Sequence, residues 1–204
     1  MIQTLETYGD QEHLDRVAAF QRDIAAFDPV TVIRKYITTG VPVTIDASVY
    51  FELRSRVAAK FEIHPNDVVV VGSSRLGFSL KQEKRFRPNE PKDVDVAVVS
   101  EALFNAYWEM VFDEVRFNRD WATRSKKNRQ FVNSLFAGWI TPQKLPNLPS
   151  FDRGRDWSEC FANLTRERVC GIRSINGRLY RDWKRLEAYQ EIHLLECKHD
   201  LERG

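Results

Sequence analysis

Four consecutive valines, Val68 to Val71, constrain this chain more than any other feature. Pro65-Asn66-Asp67 precedes them and Gly72-Ser73 follows. A short, unbroken β-branched run between turn residues reads as a buried strand. A second apolar run, Val94 to Val99, comes after a charged stretch from Lys81 to Lys92 and predicts a second strand. The chain therefore has to build a core around a sheet. Its 204 residues, 43% hydrophobic and 29% charged, are enough for one domain with a full core.

Helical spacing surrounds these strands. Leu14, Val17, Ala18, Ile24 and Phe27 predict an amphipathic helix over 11–27. Asp28-Pro29 restarts the chain, because proline suits a first helical turn, and a short helix is expected over 30–37, ended by Gly40. Val41 to Ile45 looks extended, although Pro42 does not suit a central strand. Asp46 is placed to cap a helix over 47–61. Further helices are expected over 101–117 and 120–138. Pro142, Pro146 and Pro149 then predict an irregular loop over 141–157. Val169 to Ile175 reads as a third strand, Asn176-Gly177 as a turn, and 179–202 as a last helix. No internal repeat is visible. The sum is a mixed α/β order of the α+β class with a small sheet. Residues 1–45 read as a helical arm and 46–204 as one compact unit.

Several classes are excluded on pattern. No apolar run approaches the ~20 residues that span a bilayer. Met1 to Asp10 lacks the basic and apolar regions of a signal peptide. Three scattered cysteines, Cys160, Cys170 and Cys197, do not make a disulfide framework and fit a reducing cytoplasm. His193 and Cys197 have a metal-sharing spacing, but no second pair completes a zinc set. The net charge of +2 neither demands nor excludes a polyanion. Locally it is less even. Arg116, Arg119, Arg124, Lys126, Lys127 and Arg129 face only Asp120 across 116–129, and seven basic residues face two acids across 166–185. Such clusters are commonly solvated faces, and they also leave nucleic-acid contact open. Tyr180 and Trp183 interleave with the second cluster and read as core before they read as stacking platforms.

The chemistry concentrates in residues 68–100. A glycine at the end of a strand lets the backbone turn sharply and lets N–H groups approach a ligand. With the Ser73 hydroxyl and a following helical turn, Gly72-Ser73 would suit phosphate. Asp93-Val94-Asp95 opens the next apolar run. Strand alternation sends Asp93 and Asp95 to one face and Val94 and Val96 to the core. Two carboxylates side by side repel, and a cation between them removes that cost. Mg²⁺ typically takes one or two carboxylates plus substrate phosphate oxygens.

This pattern resembles the nucleotidyltransferase superfamily: an apolar strand, Gly-Ser, a variable loop, then Asp-x-Asp inside a second apolar strand. Gly72, Ser73, Gly77, Phe78, Asp93 and Asp95 carry the resemblance, over about 33 of 204 residues. The spelling is similar to that of polymerase-β-type enzymes. These include poly(A) polymerases, second-messenger synthases and minimal members of toxin–antitoxin and phage-defence loci. The resemblance implies a small mixed sheet flanked by helices and an in-line displacement supported by Mg²⁺ or Mn²⁺. Asp93 and Asp95 would hold the metal. Gly72, Ser73, Ser74 and Arg75 would bind the nucleotide, with Arg75 adding charge near the phosphates. An acceptor hydroxyl on a nucleotide, RNA end, protein or small molecule would attack a nucleoside triphosphate, and pyrophosphate would leave. The short chain leaves room for a protein partner or a homo-oligomer.

Two departures stand out. Gly72 and Asp93 are 21 positions apart, longer than in minimal members, and the extra length reads as a surface insertion. Active members usually carry a third carboxylate on a later strand, and Val169 to Ile175 holds no acid. Asp113 and Glu114 fall on the helix after the second strand, Asp152 and Asp156 in the proline-rich loop, and Asp182 and Glu187 on the last helix, none of them on that strand. The alternatives are therefore a nucleotide-binding module without catalysis, or a nucleic-acid-binding protein that uses its basic segments.

Overall fold

The computed structural model describes residues 2–88, 93–116, 120–144, 152–171 and 174–203. It is an α+β fold in three layers. The middle layer is a four-stranded mixed sheet of β1 (Val68–Val71), β2 (Asp93–Val99), β3 (Trp139–Ile140) and β4 (Ser174–Tyr180), in the order β1-β2-β4-β3. β1 runs antiparallel to β2, β2 parallel to β4, and β3 antiparallel to β4.

Both faces of the sheet are covered, which explains the unbroken valine run. Val68 and Val70 point into one cluster with Val94, Val96, Val98, Ile175 and Leu179. That face carries α3 (Ala47–Phe61), α5 (Glu101–Arg116), α7 (Lys126–Phe136) and α8 (Asp152–Arg166). Val69 and Val71 point the other way and join Ala97, Val99 and Tyr180. That face carries α1 (Ile2–Ala26), α2 (Pro29–Ile33) and α9 (Trp183–Arg203). Phe20 and Ile24 of α1 are buried there, with Ile33, Leu186 and Leu194. A strand with apolar neighbours above and below keeps every position hydrophobic instead of alternating.

Local signals explain the element ends. Asp28 caps α2 through Thr31 N at 3.0 Å, with Pro29 in the first turn. The helix then widens into a π-helical turn, Arg34–Thr38, before Gly40. Asp46 caps α3 through Ser48 N at 2.8 Å. The 120–138 helix is two pieces, α6 (Trp121–Arg124) and α7, because extended Ser125 breaks the chain and caps α7 through Asn128 N.

Three expectations are corrected. Residues 152–157 begin α8 instead of finishing a loop; Trp157, Cys160, Phe161 and Leu164 form its buried stripe. The third long strand is Ser174–Tyr180, so Val169 and Cys170 lie in a turn before it and Asn176-Gly177 lies inside it. Gly177 is required there by packing: a Cβ would sit 2.2 Å from the Phe161 ring. Residues 41–45 form a turn, not a strand, held to α4 (Ser73–Leu76) by Val43 N→Arg75 O and Thr44 Oγ1→Ser74 O. No helix among the described residues is long and apolar enough to cross a membrane.

Candidate active site

β1 ends at Val71, which pairs with Asp95 across the antiparallel ladder. Gly72 turns the chain at φ 71° and ψ −152°, a conformation open to glycine. A Cβ there would come within 3.5 Å of Asp95 Oδ2, so the turn passes close to the acid pair. α4 follows for one turn and ends at Gly77, φ 80°, where a Cβ would clash with Val43 Cγ1 at 2.7 Å. Phe78 then enters the core with no exposed area.

Asp93 and Asp95 project from the same face of β2, with Val94 and Val96 buried on the other. The parallel register places Ser174 beside Asp93 and Asn176 beside Asp95. That face continues along β4 to Arg178 and Tyr180. A cavity of about 410 Å³ opens over it, bounded by Gly72 and Ser73 at one side and by Tyr189, Gln190 and His193 of α9 at another. This lies within the roughly 300–1,000 Å³ range of small-molecule sites.

Electrostatics divide the cavity. Asp95 keeps area open to solvent, yet dense protein around it raises its carboxyl above the ordinary range, and repulsion from Asp93 adds to this. Arg178 and Lys81 pull the other way. Arg178 sits with its guanidinium 4.5 Å from the Tyr189 ring centroid and 4.9 Å from that of Trp139. This cation–π sandwich fixes it on the wall. Its Nε is buried without a hydrogen-bond partner, and no carboxylate pairs with it among the described residues. A half-buried cation without an acid partner is costly unless an anion joins it.

The structure brings Gly72, Ser73, Asp93 and Asp95 to this one cavity and turns Ser74 and Arg75 away from it. Ser74 is buried and donates to the Asp93 carbonyl at 2.8 Å, tying α4 to β2. Arg75 is 4% exposed and donates through Nε to Tyr36 O at 3.0 Å and through Nη1 to Gly40 O at 2.8 Å. It fastens the end of the π turn, and burial lowers its pKa. Arg178 and Lys81 line the cavity instead, and sequence spacing counted Arg178 only as part of a basic cluster. Its alternation with Asn176 and Tyr180 is the signal that marks its face, once 174–180 is a strand.

None of the acids weighed for a third carboxylate, where its side chain is described, lines the cavity. Asp156 pairs with Lys60, Asp113 with Arg116 and Glu187 with Arg34, while Asp182 caps α9 through Arg185 N. The side chains of Glu114 and Asp152 lie outside the described residues. Among the described residues no group of three acids, histidines or cysteines converges. The donors beside Asp93 and Asp95 are therefore oxygen donors, with the Asn176 carboxamide on the neighbouring strand. Such a set fits one hard divalent cation that completes its shell with phosphate and water.

Part of the basic segments is paired away from the cavity: Arg116 meets Asp113 at 3.3 Å. Arg181 meets Glu101 at 2.9 Å, and Arg166 donates to Asn163. Arg119 and Arg173 lie outside the described residues. The insertion after α4 folds back: Phe86 N donates to Ser79 O at 2.8 Å, the Phe86 ring packs on Phe78, and Arg85 pairs with Asp200. Residues 89–92 lie outside the described residues. Comparisons with family models, with curated proteins and with solved structures find no match for this chain.

Proposed function

We propose that this chain is a metal-dependent nucleotidyltransferase of the polymerase-β-like type, which moves a nucleoside monophosphate from a triphosphate to a hydroxyl acceptor. The observation that carries the reading is the union of opposite charges in one cavity. Asp93 and Asp95 stand on one strand, and the acid-free guanidinium of Arg178 stands on the strand beyond. Two acids call for a cation, and an arginine without an acid partner calls for an anion. A magnesium-bound triphosphate satisfies both.

In this reading Asp93 and Asp95 hold Mg²⁺ or Mn²⁺, with Asn176 as a neutral neighbour. The metal, when bound, supplies charge neutralisation at the phosphates. Gly72 and Ser73 bring backbone and hydroxyl donors to the phosphate end, and Arg178 and Lys81 supply positive charge for the leaving pyrophosphate. The acceptor hydroxyl enters from solvent; a nucleotide, RNA end, protein or small molecule all fit the chemistry. Three free cysteines suit a reducing, magnesium-rich compartment such as the cytoplasm.

One observation favours a second reading. The position opposite Asp95 on β4 is Asn176, not an acid. A site whose described lining holds only two carboxylates binds a metal nucleotide without the third carboxylate that would take the acceptor's proton. The second reading is therefore a nucleotide-binding module that senses instead of transferring. Pyrophosphate release from each of the four triphosphates, compared with Asp93→Ala/Asp95→Ala, separates the two. Release lost in the double variant supports transfer. Binding without release in the presence of candidate acceptors supports sensing.

A further inference from the structure

We propose that this chain pairs with a second copy of itself in a two-fold dimer, with α5 of each protomer seated on α7 of the other; this stands apart from the nucleotide reading. Two apolar stripes run along α5. Phe104, Tyr107 and Val111 are buried in the core on the sheet side. Trp108 and Phe112, four residues apart, form an outer stripe and are 43% and 46% exposed. Their rings stack, 7° from parallel, with centroids 5.4 Å apart. Single exposed apolar side chains are ordinary on a protein surface. A tryptophan and a phenylalanine held in one exposed stack form an anchor of the kind that dominates the energetics of interfaces.

Charge identifies the occupant. α5 carries Glu101, Glu109, Asp113 and Glu114 against Arg116 alone. Glu109 and Asp113 are exposed beside the aromatic stack. Phosphates are repelled by such a surface, so the stack does not suit nucleic acid. Its complement is basic and apolar, and the same chain presents one. The segment from Trp121 to Phe136, α6 and α7, carries Arg124, Lys126, Lys127 and Arg129 and no acid. Phe136, at the end of α7, is 94% exposed. Lys126, Arg129 and Phe136 are spaced by three and seven residues and so share one face of that helix. Glu109, Lys126 and Arg129 form no ion pair among the described residues. The acidic aromatic helix and the basic helix cover the same face of the sheet. A two-fold axis between them therefore brings α5 of each copy to α7 of the other, and every favourable contact occurs twice.

The test is sedimentation velocity of the whole chain over a concentration series at low and high salt. Three variants are compared with the wild type: Trp108→Ser/Phe112→Ser, Glu109→Lys/Asp113→Lys and Lys126→Glu/Arg129→Glu. Asp113 lies in the last turn of α5, and Lys126 and Arg129 lie in the first turn of α7. The reversals at these three positions suit the helix dipoles, so melting temperatures should hold and a folding defect does not account for a lost dimer. The expected result is a wild-type dimer that loosens as salt rises. Each variant alone dimerises at least about tenfold more weakly. An equimolar mixture of the two charge-reversed variants dimerises again, because each reversed helix then meets its opposite. A wild type that stays monomeric throughout, a dimer untouched by the three variants, or a mixture no tighter than its components overturns the inference. So does a monomer that binds a labelled RNA oligonucleotide through α7, with the affinity lost in Lys126→Glu/Arg129→Glu, which gives the basic helix to nucleic acid.

Discussion

Asn176 stands directly beside Asp95 across the parallel β2–β4 pair, on the face that opens into the cavity. Side chains at paired positions of neighbouring strands project together, so this amide is the group on β4 best placed to act with the acid pair. Asn176→Asp turns the neutral donor into a third carboxylate. We expect tighter Mn²⁺ binding and a lower melting temperature without metal, because three acids repel more than two. Calorimetry and metal-dependent melting check both signs. If the proton of the acceptor limits transfer, pyrophosphate release rises as well. Unchanged metal affinity would show that Asn176 lies off the metal site.

The raised carboxyl of Asp95 makes stability depend on pH. Burial, and then Asp93, disfavour its charged form in the folded chain. The folded state therefore holds its proton to higher pH than the unfolded state. The resulting stabilisation is complete below the unfolded value and lost as pH rises through the folded one. Asp95→Asn removes that loss. Its melting temperature should exceed the wild type's near neutral pH, with the gain shrinking toward about pH 4, the ordinary carboxylate value. Added Mg²⁺ should raise the melting temperature of the wild type and not that of the variant.

Arg75 and Arg178 should separate cleanly in their effects. Arg75→Met leaves the carbonyls of Tyr36 and Gly40 without their donor and should cost about 2 kcal/mol of stability. Its folded fraction should bind triphosphate as the wild type does. Arg178→Met keeps apolar volume between Trp139 and Tyr189 and removes a cation that has no acid partner among the described residues. It should weaken pyrophosphate affinity by about tenfold or more while stability holds or rises. Denaturant titration beside pyrophosphate binding distinguishes the pair.

Gly177→Ala should be among the most damaging small substitutions, since its Cβ would sit 2.2 Å from Phe161. Overpacking of this kind costs about 1–3 kcal/mol or more. Adding Phe161→Leu should recover part of the loss, which chemical denaturation of the two variants measures.

The two elements that carry the acid pair and the glycine turn were legible because each combines an unbroken apolar run with turn residues. Val68 to Val71 and Val94 to Val99 are strands by any tertiary arrangement that buries them. β4 was not legible for a physical reason. Its Asn176 is polar because it faces the open cavity, and its Gly177 is small because Phe161 occupies the space above it. Together they spell a turn dipeptide in the middle of a strand. Function at one face and packing at the other removed the strand's own signature. Arg178 was hidden with it, since only the strand's alternation separates it from Arg173 and Arg181. Arg75 misled in the opposite way: adjacency to Gly72-Ser73 suggested phosphate, but one turn of α4 carries its side chain to the far side. The start of α8 was readable from the spacing of Trp157, Cys160, Phe161 and Leu164, and the prolines before it outweighed that spacing.

The central claim is that the acid pair and the cavity serve a metal-bound triphosphate. The most direct measurement is pyrophosphate release from ATP, GTP, CTP and UTP with Mg²⁺ or Mn²⁺, run beside Asp93→Ala/Asp95→Ala, with metal-dependent binding followed in parallel. The account predicts metal-dependent triphosphate binding that the double variant loses, with pyrophosphate released once an acceptor is present. Equal behaviour of wild type and double variant, with neither binding nor release, would contradict it.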